Sequence, residues 1–463
     1  MNGLNLSIPV RLSGSFFHRH LVVPIMKAQA FWLLLLGTSV SGADLDAVER
    51  NWPAWRGPWA NGTAPHGNPP AEWSETRNLK WKIPVQGRGL STPIIWEDRL
   101  FLHTAIPTGK TNSASPGAGT GSGGLRAPAP VEEYQFVLLC LERKTGRTLW
   151  QKTLRQEVPH EGHHQADGTF ASASPVTDGR RVYAYFGSRG LHCLDFDGNV
   201  KWSKDLGRMR IKNAFGEGSS PALAGDALVV NWDHEGDDFI VALDKETGKE
   251  LWRQSRQEDT SWATPLVVSY NHQSQVIISA TRKIRSYDLA TGKLLWECGG
   301  MTQNVIPSPV TGGGLLHVLS GFRGSALLAI RLGRTGDLTG TDAIAWSLKK
   351  NTPYVPSPLL SGNRLYFFSG NNAILSCYEA STGHPLIDAQ KIDALKGVYA
   401  SPVGARGKVY LVGRNGTTVV IKDSDPFEIL STNILEDNID ASPAIVGNEL
   451  YLRSHRFLYC LSE

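Results

Sequence analysis

A Ser/Thr-Pro pair followed by a short apolar run recurs eight times in this 463-residue chain: Thr92-Pro93, Ser174-Pro175, Ser220-Pro221, Thr264-Pro265, Ser308-Pro309, Ser357-Pro358, Ser401-Pro402 and Ser442-Pro443. Successive prolines are 82, 46, 44, 44, 49, 44 and 41 residues apart. A spacing near 45 residues is the period of a four-stranded propeller blade. Only the first interval is out of line. It contains residues 106–131, which lack apolar periodicity and are rich in small and turn-forming residues, so they read as a flexible insertion.

Within a unit the order is anchor, strand, turn, second strand, short loop, third strand, TGK-like turn and fourth strand. The third unit displays it fully: ALAGDALVVNW after Pro221 holds two strands around Gly225-Asp226, FIVALD is the third, and KETGKELW turns through Thr247-Gly248 into Trp252. Trp150, Trp202, Trp252, Trp296 and Trp346 recur at matching places, where an indole can pack between neighbouring sheets. After Pro443 only three strands remain, and Leu79–Pro84 (LKWKIP) matches the fourth-strand pattern of VKWSKDL at Val200. The expected fold is therefore all-β: an eight-bladed propeller of four-stranded antiparallel blades, closed by an N-terminal strand that completes the last blade and removes the open edges. It spans residues 79–463, after a Trp/Pro-rich leader at 44–78.

Residues 1–43 carry Arg11, Arg19 and Lys27 and no acid. Lys27 precedes the apolar run AFWLLLLG and then Ser41-Gly42-Ala43, the small-residue pattern of a signal-peptidase site, so 1–43 reads as a signal peptide with 1–25 an upstream extension and Met26 an alternative start. The apolar run is too short for a stable membrane anchor. An exported, periplasmic or extracellular protein is expected, and as a monomer. The remaining 44 basic and 43 acidic residues nearly cancel, giving no field that would gather nucleic acid. The five cysteines form no CxxC cluster, and four of them, Cys140, Cys193, Cys377 and Cys460, occupy equivalent apolar strands as core thiols.

The pattern LD-x-x-TGK-x-LW, as LDKETGKELW at Leu243 and YDLATGKLLW at Tyr287, resembles the quinoprotein-type (PQQ-binding-like) repeats of exported bacterial eight-bladed propellers, and the leader NWPAWRGPWANG resembles the segment that precedes them. The resemblance covers residues 79–463 and implies kinship with two kinds of protein. One is the calcium-dependent quinone alcohol dehydrogenases, which carry a vicinal cysteine pair that this chain lacks. The other is the propeller lipoprotein of outer-membrane β-barrel assembly, whose lipid-bearing cysteine has no counterpart before Cys140.

Strand alternation places the loops between second and third strands on the same face as the inter-blade loops, with the TGK turns opposite. The first face, the mouth, is where a small anionic ligand or a protein partner is expected. Its short loops carry Arg189, Arg282, Arg323, Arg414 and Arg456, whose guanidinium groups suit carboxylate or phosphate. Inter-blade loops nearer the axis add Arg88, Phe170, Glu217, Trp262, Asn304, Tyr354, Tyr399 and Asp440. Trp262 breaks the outer-strand pattern of the other tryptophans, which makes it the candidate platform for a flat ligand. Glu217, Asn304 and Asp440 offer oxygens of the kind calcium prefers, but from distant blades. His160-Glu161-Gly162-His163-His164 matches HExxH formally; Pro159, Gly162 and Gly168 argue against the helix that motif requires, leaving His160, His163, His164 and Asp167 as weak metal candidates. The acidic run Asp233–Asp238 lacks the spacing of a calcium loop, and no GxSxG or P-loop occurs. No catalytic residue is assigned. Two functions follow: a non-catalytic binding or scaffold propeller, and a PQQ- and calcium-dependent oxidoreductase using the central funnel.

Overall fold

The computed structural model describes residues 42–111 and 128–463; most of the expected signal segment lies outside them, and a helix, Gly42–Glu49, spans the expected cleavage point. Eight sheets follow one another around a ring. Five are built wholly from consecutive strands, as in blade two (Val176–Thr177, Arg181–Tyr185, Leu191–Asp195 and Val200–Lys204), and blades four and five differ only in that one short strand of the fifth pairs with the fourth. The eighth pairs Ala444–Val446, Glu449–Arg453 and Phe457–Leu461 with Leu79–Pro84, in antiparallel register Trp81↔Cys460 and Ile83↔Leu458. The ring is thus closed by the N-terminal strand, as the repeat count requires.

The anchor hydroxyls explain why Ser or Thr precedes each proline. Seven of the eight accept a hydrogen bond from the backbone N–H of the preceding blade's anchor: Thr92 N–H to Ser174 Oγ at 2.9 Å, Ser174 to Ser220 at 2.9 Å, Ser220 to Thr264 at 3.1 Å, and Thr264 to Ser308 at 2.9 Å. Ser308, Ser357 and Ser401 continue the series to Ser442, each at 2.9 Å. Thr92 Oγ1 then donates to the Ser442 carbonyl at 3.0 Å and completes the circle. These anchors are buried, so a missing partner would strand a polar group away from water.

On the underside the TGK turns receive the tryptophans. Asp244 Oδ1 accepts from Thr247 N–H and Oγ1, and Gly248 (φ +69°) presents a bare surface to Trp202 of the preceding blade; a Cβ there would lie 2.7 Å from the indole. Trp202 Nε1 donates to the Lys245 carbonyl at 3.0 Å, and Trp81, Trp150, Trp252 and Trp346 make the same inter-blade bond to the following blade. Trp296 departs from the expected pattern. Its Nε1 donates within its own blade to Gln275 at 3.0 Å, because blade five replaces the TGK turn by a longer segment. That segment lays Gly336–Asp337 parallel to the outer strand Leu294–Cys298 as a fifth strand.

The expected insertion at 106–131 is strand at its start. The second strand of blade one runs Arg99–Thr111 and its partner Glu132–Glu142, with Ala105↔Phe136 and Pro107↔Tyr134 still in register; residues 112–127 of the insertion lie outside the described residues. All five cysteines are buried and free, and burial pushes the Cys140 thiol up to about 12.

The leader is the hub. Trp52 exchanges backbone hydrogen bonds with Ile95 on the innermost strand of blade one, and the Pro53 carbonyl accepts from Thr177 of blade two. Ala54 and Ala60 pack against the cores of blades two to three and four to five. Asn61, Gly62 and Ala64 then bond to Leu360 and Gly404 of blades six and seven, and Asn68 to Gly447 of blade eight. One short segment therefore touches innermost strands all around the ring, which is possible only within the central channel. Trp52 is fully buried there, and Arg56 points at two anchor carbonyls, Nη1 to Pro402 at 2.7 Å and Nη2 to Pro358 at 2.6 Å. Lacking a carboxylate partner, Arg56 is drawn down to about 9 by burial. Trp73 stacks on Tyr410 as the leader leaves between blades seven and eight, and Glu75 meets Lys82 at 2.8 Å beside the closing strand.

Candidate functional site

The mouth is crossed by the inter-blade loop between blades one and two. This is the HExxH-like stretch, and it forms no helix. His160 Nε2 bonds to the Met209 carbonyl at 2.7 Å, His163 rests edge-on against Phe170, and His164 lies 3.2 Å from Asp167. Among the described residues no group of three or more His, Cys, Asp or Glu is placed to hold a metal ion. The loop instead carries Asp167 across the ring. Asp167 accepts from the Tyr399 hydroxyl at 2.8 Å and pairs with Arg414 at 2.6 Å, both on the blade-seven side. Arg414 also grips Asp440 (2.7 and 3.2 Å), and its guanidinium lies 4.1 Å from the Tyr399 ring. His455 completes this cluster at 3.0 Å from Asp440. Burial pushes Asp440 up, but the hydrogen bonds from His455 and Arg414 outweigh it and the carboxyl ends below its ordinary range. Tyr354, between blades five and six, is raised by burial, lowered by the Asn304 amide beside it and raised again by the Asp167 charge. Junction one–two and junction five–six face each other in an eight-membered ring, so Asp167 stands over the axis.

Five of the expected ligand-binding residues, Asn304, Tyr354, Tyr399, Arg414 and Asp440, thus gather around this loop. Arg189, Glu217 and Trp262 gather elsewhere, at the joint of blades two and three. Glu217 accepts from Ser188 N–H and Oγ, both at 2.7 Å, and from Arg189 at 2.8 Å. Arg189 is sandwiched 5.5 Å from the rings of Phe136 and Phe170. Trp262 is half-buried and donates to the Gly216 carbonyl at 2.7 Å, roofing a chamber with Phe170, Tyr185, Asn231 and Asp233. That chamber measures about 30 Å³. It has room for water but is an order of magnitude below the roughly 300–1,000 Å³ of ligand sites.

Beneath it lies an ion pair that sequence reasoning missed. Arg256 and Asp233, both with fully buried side chains, form a two-pronged contact at 2.6 and 3.2 Å, and Arg256 also donates to the Tyr287 hydroxyl at 3.0 Å. Two further acids of the 233–238 run are engaged: Asp238 accepts from Gln257 N–H at 3.1 Å and Glu235 from Thr260 Oγ1 at 2.8 Å, beside an open groove of about 850 Å³, while Asp237 is exposed. These carboxylates shape loops.

An eight-bladed propeller of TGK-turn repeats, stitched by its N-terminal strand and with its charged groups on the mouth, is a propeller of the quinoprotein-repeat class. The sequence profile of one family within that class, described as outer membrane protein assembly factor BamB, matches residues 135–386, more than half of the chain, and the protein belongs to that family. No curated protein matches significantly. Among solved structures, BamB from Moraxella catarrhalis is similar at 14% identity, covering 83% of this chain and 99% of its own, with a TM-score of 0.54. Quinohemoprotein alcohol dehydrogenase from Comamonas testosteroni is similar at 14% identity, covering 91% of this chain and 82% of its own, with a TM-score of 0.49. At these identities the likeness is one of fold.

Proposed function

We propose that this protein is an exported, non-catalytic binding scaffold that presents the mouth face of its propeller to a partner. The observation that carries the reading is that the chain's own segments fill the axis from both ends: Arg56 and the leader from below, Asp167 and its loop from above. The quinone and calcium that the repeats bring to mind do not fit the residues present. Glu217 and Asp440 spend their oxygens on Arg189 and Arg414 in separate clusters, and the chamber under Trp262 is too small for a tricyclic ring. Membership of an assembly-factor family supports a protein partner over a small substrate. Export is supported by the sequence of residues 1–43, and no helix among the described residues is long and apolar enough to cross a membrane.

The test is to add PQQ and calcium to the purified protein. The expected result is no spectral shift, no thermal stabilisation and no dye-linked alcohol oxidation; saturable quinone binding would overturn the scaffold reading in favour of an oxidoreductase.

A further inference from the structure

Five arginines stand on the loops between second and third strands at the mouth, and four are already engaged. Arg189 lies 2.8 Å from Glu217, Arg282 2.8 Å from Asp259, Arg414 2.7 Å from Asp440 and Arg456 3.3 Å from Asp437. Arg323 has no carboxylate and no hydrogen-bond acceptor among the described residues. Its guanidinium carbon lies 5.4 Å from the ring centre of its neighbour Phe322. Phe322 is stacked on Tyr354 at 4.8 Å and 27°, and its backbone is bridged to Gln303. A cation is thus mounted on a two-ring pedestal that spans two blades.

The backbone is unusual as well. Arg323 sits at φ +52°, a conformation that costs a non-glycine residue and persists where the surroundings enforce it. Asn304, also at positive φ (+53°) and only 4% exposed, stands beside Tyr354 with its Oδ1 unpartnered. An exposed guanidinium with all its donors free, set on an aromatic wall, is complementary to a carboxylate carried on a peptide.

We propose that the blade-five corner of the mouth, Arg323 on the Phe322–Tyr354 stack, is the docking point for an acidic segment of a protein partner, one carboxylate taking the guanidinium. This rests on the scaffold reading and names the partner's chemistry. It uses groups that the fold does not need, so altering Arg323 leaves stability untouched.

The probe is a fluorescently labelled hexaglutamate peptide, titrated into the full chain at low salt and followed by anisotropy. Arg323→Gln is expected to weaken binding about five- to tenfold with an unchanged melting temperature, and Phe322→Ala to weaken it too. Arg88→Gln, which removes another exposed mouth arginine, is the control and is expected to bind as the wild type does. The proposal is overturned if the wild type does not bind the peptide, if Arg323→Gln binds equally well, or if Arg88→Gln loses as much, since the last outcome marks diffuse attraction. Quinone binding would sink the scaffold reading by a separate signal; indifference to Arg323 would sink this proposal alone.

Discussion

Replacing Trp52 by alanine puts the leader's role as a hub to the test. The indole is fully buried in the channel, and its own residue is bridged to the innermost strand of blade one. Gly57 closes over it: a Cβ at that position would lie 2.9 Å from the ring. The wall is therefore close-packed and has little freedom to collapse into the space left behind. Truncating a buried Trp to Ala in such a setting costs about 3–5 kcal/mol. At about 2.1 cal/mol/K per residue, some 400 ordered residues give an unfolding entropy near 0.8 kcal/mol/K, so the melting temperature falls by about 4–6 °C. Differential scanning calorimetry reads this directly, and limited proteolysis reads whether the leader has come loose: the wild-type segment 52–73 should resist cleavage and the variant should be cut there first. A shift below about 1 °C with unchanged proteolysis would refute a leader seated in the channel.

Two further outcomes follow from the anchors and the buried histidines. Ser308→Ala removes the acceptor of the Thr264 N–H and leaves a buried donor unpaired, at a cost of about 1–3 kcal/mol in denaturant titrations; a neutral result would mean that the hydroxyl circle contributes nothing. Burial draws His103 down to about 3 and His317 down to about 4, so both are neutral when folded, whereas the unfolded chain takes up protons below about 6.5. Their contribution is intact above about pH 6.5 and is lost as the pH falls toward the folded values, at up to about 1.4 kcal/mol per unit for each. His317→Gln should therefore flatten the fall of melting temperature between roughly pH 6 and 4.5, and an unaltered slope would contradict that assignment.

The blade count, the closing strand and the two faces could be read from the chain because each rests on a local, repeated cue: the Ser/Thr-Pro spacing, the TGK turn and the alternation of strands. The reason for the hydroxyl could not, since Ser308 serves an amide 44 residues away in another blade. Nor could the destination of WRGPWANG be seen, because its channel contacts are mostly backbone hydrogen bonds, which any side chain would permit. Trp262 was visible as an outlier, but its acceptor is a main-chain carbonyl 46 residues back. Asp167 and Tyr399 meet across 232 residues, and no spacing rule links such a pair. At Arg323 the residue type was informative and the pairing decisive: a sequence shows which arginines exist on those five loops, and only coordinates show that four of them are paired.

The leader's position also sets an order of events during synthesis. Residues 52–68 emerge from the ribosome ahead of every blade, yet Leu360, Gly404 and Gly447, which bond to Asn61, Gly62, Ala64 and Asn68, lie near the other end of the chain. Trp52 and Pro53 find their partners in blades one and two, but until blades six to eight exist the stretch from Arg56 to Asn68 has nowhere to settle, and the channel stays open on that side. Such a chain reaches its final topology only once its tail is available, so a nascent or truncated form offers a long-lived apolar surface to whatever chaperone meets it first.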